Sequence, residues 1–105
     1  MTDKVIVLTT AGSPDEAKKI ARALVEQKLA ACVNIVPKIQ SVYRWKGEIE
    51  EAEELLLVIK TASPQQGKVC AAIQELHSYE LPECVVLAIE DGSEQYLKWI
   101  DDSLK

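Results

Sequence analysis

The sequence predicts an α+β fold: a split-βαβ sandwich with helices on one face of an antiparallel sheet. Two observations carry this. First, the chain repeats itself. VIVLTTAGSPDE at 5–16 and LLLVIKTASPQQ at 55–66 share one order: an apolar run, a Thr-Ala turn, then Ser-Pro opening a helix. Strand–helix–strand therefore occurs twice, and duplicated βαβ units of this size build a ferredoxin-like sandwich. Second, odd positions from Ala31 to Trp45 are mostly apolar or aromatic. That period of two marks one long strand, and so a long hairpin.

Each element has its own justification. VIVLTTA at 5–11 is β-branched and apolar, as a buried strand requires. Ser13 is placed to cap the first helix, with Pro14 at its first position and Glu16 completing a capping box. Ala17, Ile20, Ala21, Leu24 and Val25 form its apolar face, and the helix should fade near Lys28. Pro37 interrupts the long strand and should sit at an edge or a bulge. Lys46-Gly47 offers the hairpin turn.

EIEEAEELLLVIK at 48–60 has helical propensity, but the repeat demands a strand ahead of Ser63. The glutamates from 48 to 54 read as a solvated face. Ser63 and Gln66 should form a second capping box, followed by a helix burying Val69, Ala72, Ile73 and Leu76. A strand is expected from Glu83 to Ile89. A short C-terminal helix should bury Tyr96, Leu97, Ile100 and Leu104.

Length and composition narrow the class. The 105 residues make one domain, spanning 1–105, and 48% hydrophobic content supports an ordinary core. A net charge of −5 with no basic patch argues against nucleic acid. No apolar run approaches a membrane span, and no export signal stands at the N-terminus, so a cytoplasmic protein is expected. Cys32, Cys70 and Cys84 form no C-x-x-C pair, which argues for reduced, core-packed thiols and against a disulfide framework or structural zinc.

The hairpin also predicts an interface. Fifteen extended residues span roughly 50 Å at ~3.3 Å each. A compact chain of this length has a radius of gyration of ~13 Å, hence a diameter on the order of 34 Å. The ribbon should overhang its domain, carrying Val42, Tyr43, Trp45 and Ile49 with it. Exposed aromatics of that kind mark association.

LAACVNIVP at 29–37, SVYRWKGEIEE at 41–51, IKT at 59–61, HSYELPE at 77–83 and YLKWI at 96–100 resemble the CutA family of divalent-cation-tolerance proteins. The resemblance covers nearly the whole chain. It implies a homotrimer built through the hairpin, similar in architecture to PII signalling proteins, and a role in copper or other divalent-metal tolerance without a catalytic reaction. The family usually has proline after the histidine; here Ser78 keeps a backbone donor.

His77, the only imidazole, is the leading candidate ligand for copper(II), expected to be partly exposed. Glu80 could lend oxygen and Cys32 sulfur. Lys60, Tyr79 and Glu83 are candidate contacts for a small ligand. An enzyme using His77 with Glu80 or Tyr79 is the competing class, but no nucleophile–base set and no glycine-rich phosphate loop supports it.

Overall fold

A computed structural model describes residues 2–105. The elements are β1 (Lys4–Ala11), α1 (Pro14–Glu26), β2 (Cys32–Trp45), β3 (Glu48–Ala62), α2 (Ser63–Leu76), β4 (Val85–Ala88) and α3 (Glu94–Ser103). They make one four-stranded antiparallel sheet in the order β2-β3-β1-β4. This is the expected split-βαβ arrangement. EIEEAEELLLVIK is extended, as the repeat required. Eight residues of β1 pair with its second half and β2 pairs along nearly all of it, so sheet pairing overrides the local helical propensity.

Side chains alternate across the sheet. Val5, Val7, Thr9 and Ala11 of β1 and Leu55, Leu57, Ile59 and Thr61 of β3 are buried under the helices, against Ala17, Ile20 and Leu24 of α1 and Val69 and Ile73 of α2. The opposite face is covered at one end only. There α3 buries Ile100, its Asp101 pairs with the Lys4 ammonium at 3.3 Å, and the Lys60 ammonium stands 5.7 Å from the Tyr96 ring. The remainder of that face is open: Val36, Val85 and Leu87 are 42%, 46% and 47% exposed. Two expected core positions prove to be surface. Val25 and Tyr96 are exposed, because α1 and α3 each cover the sheet with a narrower stripe than their apolar spacing suggests.

The hairpin is long and straight enough to set the shape, 44 × 25 × 23 Å. Its tip is a two-residue turn with Lys46 at φ 51° and Gly47 at φ 83°, the left-handed pair that suits strand twist. Pro37 marks a bulge: the β2–β3 register shifts between Val36 and Ile39, and Lys38 takes φ 61°.

Capping splits the two Ser-Pro motifs. Ser13 Oγ accepts from Glu16 N–H at 3.2 Å, while the Glu16 carboxylate takes Ser78 N–H instead of Ser13 N–H, so only the serine half of the expected capping box forms. Ser13→Ala should therefore cost about 1 kcal/mol, read as a lower urea midpoint; an unchanged midpoint would show that this cap contributes nothing. The second capping box does not form. β3 runs on to Ala62, which takes the cap position, and no side chain caps α2. Ser63 N–H donates instead to Asp3 O at 2.7 Å.

The cysteine expectation is overturned. Cys70 and Cys84 form a disulfide, with Cα atoms 5.8 Å apart. Both still pack against the core, but the connection from α2 folds back and brings the start of β4 alongside the helix, which spacing along the chain could not reveal. Cys32 stays free.

Candidate ligand-binding cleft

The HSYELPE stretch links α2 to β4. His77 closes α2, its N–H donating to Ile73 O. Its side chain is fully buried, not partly exposed as expected. Nε2 lies 2.6 Å from Thr10 O, to which it must donate, and Nδ1 accepts from Tyr79 N–H at 3.1 Å. One neutral tautomer satisfies both bonds, so the ring is a brace between α2 and β1. The donor kept by Ser78 is used: its N–H reaches Glu16 Oε2 at 3.0 Å. A proline there could not make this bond.

Glu16 also stands 3.7 Å from His77 Nδ1. Burial works to raise its carboxyl, but the hydrogen bonds from Ser78 and from the Gly12 backbone outweigh it and hold Glu16 below its ordinary value of 4.5. A carboxylate lowered on folding contributes stability above its unfolded pKa and loses it as pH falls through the folded one. Glu16→Gln should thus flatten the loss of stability below about pH 4.5. Urea titrations of both proteins at pH 7 and near pH 3.5 check this; parallel losses would overturn it.

Beyond the brace the stretch walls a cleft of about 820 Å³ against the inner side of the hairpin. Tyr43, Trp45 and Tyr79 give aromatic surface; Glu50, Glu54, Glu80 and Glu83 give carboxylates, and no lysine or arginine lines it. Glu54 corrects the reading of 48–54 as wholly solvated. It is 6% exposed, and its Oε2 accepts from the Tyr79 hydroxyl at 2.6 Å. Burial, then this bond to an anion, pushes the Tyr79 phenol well above its ordinary value. Burial, then the charge on Glu54, pushes Glu83 up. The alternation of β3 gave no hint of Glu54, because its partner lies 25 residues away.

The expected site residues thus separate. Tyr79, Glu80 and Glu83 meet at the cleft with Tyr43 and Trp45. Trp45 is half-buried there, while Tyr43 and Ile49 are exposed. Cys32 pairs with Lys60 on the face away from α1 and α2, four residues along β3 from Leu56, the partner of Thr10; that is roughly 13 Å of strand. Neither Cys32 nor Lys60 reaches His77. Among the described residues no three of His, Cys, Asp and Glu are arranged to hold a metal ion, and no helix is long and apolar enough to cross a membrane.

The model of the CutA1 divalent ion tolerance protein family matches residues 5–103. The divalent-cation tolerance protein CutA of Thermus thermophilus is 47% identical over 98 residues, covering 93% of this chain and 95% of that protein. The CutA homolog of Xenopus laevis is 51% identical over 86 residues, 82% of this chain and 57% of its own length, so the chain spans little more than half of that relative. The crystal structure of CutA from Xylella fastidiosa superposes with a TM-score of 0.97 at 35% identity, covering 99% of this chain and all of the other. On these grounds the chain belongs to the CutA1 divalent ion tolerance family.

Proposed function

We propose that the protein acts in divalent-cation tolerance as a non-catalytic homotrimer, and that it binds divalent cations, copper(II) among them. Family membership supports the role. The observation that shapes the binding model is the distribution of donors. His77 gives up a ring nitrogen only by leaving Thr10 or Tyr79, whereas Glu80 and Glu83 present oxygens at the cleft. Among the described residues no three ligating groups converge, which supports a ligand set completed between subunits.

Calorimetric titration with copper(II) chloride tests this. Glu80→Gln together with Glu83→Gln should weaken binding about tenfold or more, as loss of charged oxygen donors does. His77→Ala should act through a loosened fold, lowering the melting temperature. A double variant that binds as tightly as the parent would overturn the carboxylate assignment. Binding abolished by His77→Ala in a folded trimer would return the ligand role to the imidazole.

A second reading, a sensor of a small molecule with signalling architecture like PII, is favoured by the cleft itself. Its volume falls in the range that small organic ligands occupy.

A further inference from the structure

The cleft's chemistry is one-sided. It has four glutamates, three aromatic side chains and no cationic residue in its lining. Glu54 is the informative member. It is more than nine-tenths buried, and no lysine, arginine or histidine of the described residues lies within ion-pair distance of it. The Tyr79 hydroxyl binds Oε2, and Glu54 lines the cleft. A buried carboxylate without a counter-charge is costly unless something supplies one.

Two kinds of cation could do so. Within a single chain a bare metal ion does not fill the cleft, because among the described residues three ligating groups do not converge and the volume far exceeds one coordination sphere. An organic cation suits it on three counts. The volume accommodates several carbon atoms. The ring faces of Trp45, Tyr43 and Tyr79 attract a weakly hydrated ammonium. Glu54, which is buried, and Glu83, which is exposed, supply opposite charge.

We propose that the cleft between the hairpin and the 77–83 segment binds a small organic cation, an amine or quaternary ammonium, with Glu54 as its charge partner and Trp45 and Tyr43 as its aromatic wall. This rests on the small-molecule reading above and names the ligand class.

The probe is choline, titrated into the full chain at pH 8 and followed by calorimetry and by NMR shifts of the Trp45 indole N–H. Its neutral isostere 3,3-dimethyl-1-butanol is the control for shape alone. Choline should bind at least roughly tenfold more tightly than the isostere, the discrimination expected of a charge-recognising aromatic site. Glu54→Gln and, separately, Glu83→Gln should each reduce choline affinity and leave the isostere unaffected. Using both variants keeps the test sound should Glu54→Gln fold poorly.

Equal affinity for choline and the isostere would overturn the proposal. So would the absence of indole shifts up to about 100 mM choline, a concentration that saturates even a millimolar site; a neighbouring subunit's own lysine or arginine seated in the cleft would give that result. Copper(II) chloride, titrated separately, reads the metal-binding proposal alone. Choline without copper binding upholds the present inference, and copper without choline binding sinks it while sparing the other.

Discussion

Diluting the protein should lower its melting temperature, and Ile49→Ala should lower it further by weakening the assembly by about 1.5–3 kcal/mol. Both follow from the homotrimer proposed here. The chain leaves apolar surface uncovered in two places. One is the hairpin, where Val42 and Ile49 are 66% and 61% exposed. The other is the sheet face beyond α3, with Val36, Val85 and Leu87. Both sheet edges, β2 and β4, are also unpaired in a single chain and can accept a neighbour's strand. A closed ring would cover these surfaces together, which couples folding to assembly. The number three is the expectation drawn from family resemblance, and sedimentation equilibrium reads it directly. A parent that stays monomeric at micromolar concentration, with a melting temperature independent of concentration, would overturn the assembly. Two surface variants separate the regions: Val42→Asp tests the ribbon and Leu87→Asp the open face. Leu87→Asp should be the more damaging if the sheet faces pack on one another.

That second surface was visible in the sequence, though for a reason the hairpin argument did not use. A sheet covered by helices on one side reads as alternating apolar and polar residues, whereas VIVL at 5–8 and VVLAI at 85–89 are apolar throughout. Uninterrupted runs imply that both faces are covered. In the chain itself only one face is, and Val36, Val85 and Leu87 lie exposed on the other.

Legibility followed range. The turn at Lys46-Gly47, the bulge at Pro37 and the Ser13 cap are decided by residues a few positions apart, and each matches its expectation. The strand at 48–60 needed a longer comparison, between the two repeats, because its glutamates and leucines favour a helix taken alone. The repeat misled at Ser63 for a related reason. Pairing with β1 carries β3 as far as Ala62, so the same motif lands one position later relative to its helix. The site was least legible. His77 is committed to Thr10 across 67 residues, and Glu54 to Tyr79 across 25. Nothing local to HSYELPE distinguishes a brace from an open ligand. The Cys70–Cys84 pairing was hidden in the same way.

Reduction of that disulfide should destabilise each chain by about 3 kcal/mol, the loop-closure value for a loop of about fifteen residues. The bond spans 14 positions, and the segment it closes contains HSYELPE. Two mechanisms would give different signatures. If the crosslink acts on the unfolded chain, restricting an ensemble that must otherwise be ordered, the native site is held by its own bonds. His77 to Thr10, Tyr79 to Glu54 and Ser78 to Glu16 would then survive reduction. The urea midpoint falls while the near-UV spectrum of the folded protein stays as it was. If the crosslink shapes the folded site, Tyr79 leaves Glu54 on reduction and the tyrosine signal changes below the unfolding transition. The first outcome is expected, because three hydrogen bonds at residues 77–79 anchor the segment independently of sulfur. A paired variant, Cys70→Ser with Cys84→Ser, repeats the comparison without reductant. Thiol titration in denaturant sets the baseline: one thiol per chain before reduction, from Cys32, and three after. Three thiols in the untreated protein would show that the bond is not formed, and would restore the reduced core cysteines that the sequence alone suggests.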